Sequence, residues 1–207
     1  MLKKLLYFSG LCLFVLASVG LARADTISYS LNVDGSSGQS FGTGPFGTVT
    51  LTQDGSNVDV SVALASGFKF VSTGAGSAFM FNLPDTISVT GLTTGFTLLN
   101  TNSKNGGAFG TFENQIACTG CGSGGSDPLA GPLKFTVDGV SLSDFANTFN
   151  TKAPGYYFAA DVISSGNTGL IGNNEPGTPV VPEPPSLLLL GTGLAALAGM
   201  MKLRAMA

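Results

Sequence analysis

Five carboxylates, Asp59, Glu113, Asp138, Asp144 and Asp161, are the side chains from which this 207-residue chain would have to build a hydrolytic site, because it contains no histidine. Without histidine there is no Ser-His-Asp or Cys-His nucleophile system, and the commonest zinc ligand is missing as well. Two carboxylates alone can cleave a glycosidic bond when one is held protonated as the acid and the other stays ionised. Most of the five lie where acidic residues commonly sit in turns or on strand faces, so their first reading is solvation or turn capping. Asp161 differs. It interrupts an otherwise apolar run from Tyr156 to Ile163, and a carboxylate in such a run must find a partner.

Cys118-Thr119-Gly120-Cys121 is the second spacing with chemical potential. A C-x-x-C can be a redox pair, half of a zinc site or a small disulfide. No second ligand pair accompanies it, no βαβ pattern surrounds it, and the loop is glycine-rich from Gly120 to Gly125. In an exported chain, which the first 24 residues indicate, the compartment is oxidising and a structural Cys118–Cys121 disulfide is favoured. So short a ring constrains little of the unfolded chain, and its use is to stiffen a loop. No run of alternating oxygen ligands marks a calcium loop, so no metal and no cofactor are expected. Aromatic platforms for sugars are scarce: there is no tryptophan, the tyrosines after residue 24 are Tyr29, Tyr156 and Tyr157, and the phenylalanines read mainly as core.

The elements that would position these residues begin after a leader. Lys3 and Lys4 precede an apolar run from Leu5 to Leu21, and Ala22-Arg23-Ala24 places small residues at the −3 and −1 positions of a cut before Asp25. That order describes a secretory signal peptide over residues 1–24. From Asp25 to Val181 eleven acidic side chains face four lysines, a balance of −7. Such a body lacks the basic patch that nucleic-acid binding needs.

Short apolar alternations between turn signals predict an all-β fold, a single β-sandwich of jelly-roll type over residues 25–163. Ile27, Tyr29, Leu31 and Val33 alternate with Thr26, Ser28, Ser30 and Asn32, giving a strand with one apolar and one hydroxyl or amide side. Thr48 to Gln53 and Asn57 to Leu64 flank Asp54-Gly55-Ser56 as a hairpin. Further strands are predicted at Phe68 to Val71, Ala78 to Leu83, Thr86 to Thr90, Phe96 to Leu99, Gly110 to Ile116, Leu133 to Val137 and Tyr156 to Ile163. Leu142, Phe145 and Phe149 recur at helical spacing after Ser141, which predicts one short helix packed on the sandwich. Residues 164–180, rich in glycine, asparagine and proline, predict a flexible linker.

Residues 181–207 read VPEPPSLLLLGTGLAALAGMMKLRAMA. Val181-Pro182-Glu183-Pro184, the apolar run from Leu187 and the basic residues Lys202 and Arg204 together resemble the PEP-CTERM sorting signal. Gly44-Pro45-Phe46-Gly47-Thr48-Val49-Thr50-Leu51, the strand around Phe79-Met80-Phe81 and the stretch Gly155-Tyr156-Tyr157-Phe158 are similar to β-rich bodies that carry this tail. The resemblance implies that Pro182, Glu183 and Pro184 are recognised by an exosortase, a membrane-embedded cysteine protease. It also implies an exported surface or extracellular-matrix protein linked to polysaccharide or biofilm, and it brings no catalytic residues. Leu187 to Leu203 would make a transmembrane helix roughly 25 Å long, short for a hydrocarbon core of about 30 Å. Lys3, Lys4, Lys202 and Arg204 place both chain ends on the cytoplasmic side, with signal peptidase, the exosortase and the inner membrane as transient partners. Extracellular polysaccharide stands as a candidate lasting partner. A carbohydrate-binding adhesin and a secreted carboxylate-dependent hydrolase are the alternative functions.

Overall fold

The structure is a computed structural model that describes residues 25–36, 40–73, 77–83, 86–99, 104–150 and 152–180. The signal peptide with Lys3, Lys4, Ala22 and Ala24, the sorting motif Pro182, Glu183 and Pro184, and the expected span with Lys202 and Arg204 lie outside the described residues. Within them, no helix is long and apolar enough to cross a membrane.

Fifteen strands in two main antiparallel sheets and one short helix make the described body all-β, as its alternating pattern predicts. The first sheet is built around the predicted hairpin. β1 (Thr26–Leu31) pairs with β3 (Gly47–Asp54), which turns through Gly55 and Ser56 into β4 (Asn57–Leu64), and Gly55 takes φ 58° at that turn. β12 (Leu133–Val137) and β7 (Val89–Thr90) extend the sheet beyond β4. β15 (Thr178–Pro179) closes its other edge against β1.

The second sheet runs β2 (Val33–Asp34), β14 (Asn167–Asn173), β13 (Phe158–Ser164), β6 (Phe79–Phe81), β11 (Asn114–Cys118) and β8 (Phe96–Leu99). β5 (Phe68–Phe70) joins it by pairing with β13. A separate ribbon pairs β9 (Lys104–Asn105) with β10 (Thr111–Phe112). Between β1 and β2 the chain crosses from one sheet to the other at Asn32, so Val33 leaves the face that Tyr29 and Leu31 share.

Period-two burial explains the pairing of the sheets. Val49, Leu51, Val58, Val60, Val62, Leu133, Phe135 and Val137 point inward from the first sheet and are buried. Phe79, Phe81, Phe158, Ala160, Val162 and Ile116 meet them from the second, in one apolar cluster. Phe79 stacks on Phe81 and Phe158 at 5.7 Å each, and Phe135 reaches both Phe79 and Phe81 from the opposite sheet at 6.2 and 5.8 Å. A second, smaller cluster of Met80, Ala159, Phe109 and Phe112 covers the other side of the second sheet. That sheet is therefore covered on both faces, which is why β13 reads as a nearly continuous apolar run.

The helix α1 (Leu142–Asn147) begins where Ser141 predicts it. Asp144 accepts the backbone N–H and the hydroxyl of Ser141, each at 2.8 Å, and closes the first turn. Leu142 and Phe145 are buried against the sandwich, but Phe149 falls beyond the helix end and is 52% exposed, which corrects its expected place on the packed face.

The expectation of a flexible linker over residues 164–180 is also corrected. Ser164 pairs with Asn167 across a two-residue turn, with Ser165 at φ 51° and Gly166 at φ 82°, the backbone of a tight hairpin. β14 then runs along β13 for seven residue pairs, and Ile171 is fully buried. The glycines that suggested a linker are places of close approach: a Cβ on Gly172 would stand 2.9 Å from the Phe109 ring, and one on Gly169 2.7 Å from Ser36.

Candidate functional site

Asp161 lies opposite a gap in the second sheet. On one side of β13, residues 158–160 pair with β6 and residues 162–164 pair with β5, so the neighbouring strand is interrupted opposite Asp161. The backbone bridges both lips of that gap: Asp161 N–H donates to the Ala78 carbonyl and Val71 N–H donates to the Asp161 carbonyl, each at 3.2 Å. The side chain adds a tie to Thr73, beside the lip at Val71. Its Oδ2 accepts the Thr73 N–H at 2.6 Å, and the Thr73 hydroxyl donates to the carboxylate at 2.7–2.8 Å.

Asp161 is 1% exposed, and burial pushes its carboxyl up to about 6, with the two Thr73 bonds pulling the other way. No basic group among the described residues offsets the cost. A carboxylate in that state can exchange a proton near neutrality, but it faces a loop backbone and hydroxyl rather than an open cleft. Its chemistry here is to fix Thr73 beside the centre of β13.

The disulfide meets the same region. Cys118 and Cys121 are bonded, with their Cα atoms 5.4 Å apart, and Cys121 Sγ lies 3.4 Å from the Phe70 carbonyl. Phe70 and Leu129 exchange backbone hydrogen bonds of 2.8 and 3.0 Å, so the segment after the disulfide runs along the free side of β5. A Cβ on Gly125 would touch Thr73, Ile163 and Thr168. Two features legible separately in the sequence, the C-x-x-C and Asp161, are thus joined through residues 70–73. Nothing in their spacing announced it.

Buried amides continue the polar theme on this sheet. Ser77 donates to Gln115 Oε1, Leu83 N–H donates to Asn114 Oδ1 at 2.7 Å, and Glu113 N–H donates to Asn82 Oδ1 at 3.0 Å. Gln115 and Asn114 tie irregular segments to β11, and Asn82 holds the bend before it, which gives these polar groups the partners that burial requires. Gln115 Nε2 and Asn82 Nδ2 are buried without a partner.

The other candidate carboxylates are dispersed. Asp144 caps α1, and the Ser141 backbone and hydroxyl bonds hold its carboxyl below the ordinary range. Glu113 is exposed at the bend between β10 and β11. Asp59 accepts the Thr136 hydroxyl at 2.6 Å, and Asp138 accepts that of Ser88 at 2.9 Å. Thr136 is opposite Asp59 in the ladder, and Asp138 follows in the turn just beyond β12. Both carboxylates stand on an open surface, without the enclosing apolar wall that sets a general acid apart from its partner.

Asp34, which the sequence did not single out, ties Ser36 to Ser40 and Phe41. Ser36 N–H and hydroxyl, Ser40 hydroxyl and Phe41 N–H all donate to it at 2.6–2.9 Å. Burial pushes its carboxyl up, but these bonds prevail and hold it below the ordinary range. An aspartate followed by Gly35-Ser36 was the available signal. Among the described residues no three His, Cys, Asp or Glu side chains form a group able to hold a metal ion. No protein-family model, curated protein or solved structure matches the chain.

Proposed function

We propose that this chain is a non-enzymatic, exported surface or extracellular-matrix protein, delivered through a signal peptide and sorted by an exosortase acting at Pro182, Glu183 and Pro184. The observation that carries the reading is where the two ends of the body leave it. Val180 N–H donates to the Thr26 carbonyl at 2.8 Å, so residues 1–24 and 181–207 attach to adjacent strands at one pole. That arrangement suits a precursor whose two ends enter the same membrane. Its β-sandwich, of jelly-roll type in this reading, stands outside the membrane between a signal helix and a transmembrane helix near 187–203.

The acidic body suits solubility in a polysaccharide matrix and disfavours nucleic acid as a partner. Asp34, Asp59, Asp138, Asp144 and Asp161 each hold a turn, a cap, a strand pair or a loop residue, which supports a structural role over turnover. Mass spectrometry of the protein recovered from the exporting cell tests the proposal. Termini at Asp25 and near Pro182 to Pro184 are expected; a recovered chain that retains residues 1–24 and 181–207 overturns it.

Carbohydrate binding is the second reading, favoured by one observation. The exposed Phe149 ring lies 5.6 Å from Tyr157, an aromatic surface free to meet a sugar face. Tyr156 is less suited, since it packs edge-on against Phe109 at 4.9 Å. Saturable binding on a glycan array, lost in Phe149→Ala while the fold is kept, would make this the primary function.

A further inference from the structure

We propose that residues 174–180 are a releasable strap whose docking on β1 withholds the segment after Val180 from proteolysis. The proposal rests on the sorting reading for its biological use, but its geometry belongs to the described body. The strap crosses from the end of β14 in the second sheet to the edge of the first. Gly177 is pressed onto that edge so closely that a Cβ there would stand 2.3 Å from Ile27 Cγ2 and 2.6 Å from the Tyr29 ring. Only glycine fits under such an approach.

Beyond Gly177 the hold is brief. Thr178 pairs with Ser28 and Pro179 with Ile27, and Val180 donates its N–H to Thr26. That last bond sets the alternation of the ladder, so Pro179 occupies the position whose N–H would point away from β1. Its missing donor costs no bond to β1 and leaves the outer edge without a donor there. The strap is thus well placed to dock and poorly placed to recruit a further strand. Its few backbone bonds and its two-residue strand put it among the segments that open locally without global unfolding.

Chain length gives this opening a consequence. Pro182 is two residues beyond Val180 in the sequence, so a stretch of four residues ending at Pro182 begins at Pro179. Proteases take their substrates as extended segments of several residues, paired along the backbone as an added strand. With the strap docked, Thr178, Pro179 and Val180, which such a segment includes, are already paired with β1. They must leave β1 before an enzyme can pair with them.

Two loosening variants and one locking variant test the strap in the full precursor held in detergent. Gly177→Ala forces a Cβ into Ile27 and Tyr29, and Thr178→Pro removes the N–H facing Ser28. A cysteine pair, Ile27→Cys with Pro179→Cys, ties the strap to β1 when oxidised, and an unchanged near-ultraviolet circular dichroism spectrum verifies each fold. The probe is a proline-specific endoprotease, with cleavage after Pro182 and Pro184 followed by mass spectrometry. Either loosening variant should be cut at least several-fold faster than the wild type, and the oxidised pair several-fold slower until reductant restores it. Equal rates in all four proteins would overturn the strap.

A parallel arm follows processing in cells that supply an exosortase. Cleavage there that responds to the lock in the same way supports both the strap and the sorting reading. If the endoprotease responds to the variants but the cells leave even the wild type uncut, the sorting reading fails and the strap stands.

Discussion

Asp161 and Thr73 are 88 residues apart in sequence, and the carboxylate of one accepts both the backbone N–H and the hydroxyl of the other across an interruption in the second sheet. The pair ties Thr73, just past β5, to the centre of β13. It also places an ionisable group in the interior, so the body's stability should carry a signature of pH.

The direction follows from the raised pKa. Asp161 titrates at about 6 in the folded protein, against about 3.9 in an unfolded chain. The folded state therefore holds this proton more tightly, and its contribution to stability is full below about pH 4 and lost as pH rises through 6. At about 1.4 kcal/mol per pH unit, the loss between pH 4 and pH 7 is on the order of 3 kcal/mol. Asp34 and Asp144, both held below the ordinary range, work oppositely and lose their contribution at more acidic pH. Urea midpoints measured from pH 3 to pH 8 should peak between these regions, and Asp161→Asn should flatten the fall between pH 4 and pH 6. A fall of the same size in the variant would show that Asp161 is not its source.

Thr73→Val should expose the other half of the relationship. Removing a hydroxyl that donates to a buried carboxylate costs about 1.5–3 kcal/mol where the acid is ionised, and less where it is protonated. The Thr73 bonds oppose the burial effect, so their partial loss should push the Asp161 titration above 6. Thr73→Ser keeps the donor and should restore most of both effects. Denaturant titrations at pH 5 and pH 8 separate a lost hydrogen bond, whose cost grows with pH, from a simple packing defect, whose cost does not.

Reducing the Cys118–Cys121 bond should leave the body folded. With a sequence separation of three, the ring removes little freedom from the unfolded chain, and its loss should cost about 2 kcal/mol or less. The local effect should exceed the global one, because the bridge abuts the Phe70 carbonyl. Amide exchange at Phe70 and Val71, whose N–H groups bond to Leu129 and Asp161, should accelerate on reduction more than exchange at Val49 or Val60. Uniform acceleration across both sheets would mean that the disulfide supports the whole fold rather than this loop.

What the sequence disclosed and what it hid divide along a physical line. The hairpin of β3 and β4 was legible because Val58, Val60 and Val62 alternate against solvent-facing residues and Gly55 marks the turn. Asp161 was legible as a misfit, since a charge in an apolar run demands a partner, but Thr73 as that partner was not. A contact across 88 residues is set by how β5 and β6 share one neighbour, which no local pattern encodes. β14 was hidden for a different reason. Its Gly169 and Gly172 lower β propensity and imitate a linker, while their function is to admit Ser36 and the Phe109 ring at close range.

That reassignment of residues 164–180 yields the sharpest stability test. A chain trimmed to residues 25–163 would keep nearly all of β13 but lose β14, exposing the buried faces of Phe158, Ala160 and Val162 along an unpaired edge. Ile171 and the Asn173 amide that donates to the Ser30 carbonyl at 2.8 Å would be gone, so the two sheets would also lose a bridge. Such a chain should be recovered aggregated or without a cooperative thermal transition, whereas residues 25–180 should unfold in one step. Within the longer chain, Gly172→Ala tests the same contact more gently. Its Cβ must displace the Phe109 ring, and overpacking of that kind costs about 1–3 kcal/mol. A cooperative transition in the 25–163 chain at the same temperature as in the 25–180 chain would return these residues to the status of a linker. The integral strand instead predicts that both changes weaken the body, the truncation far more than the single methyl group.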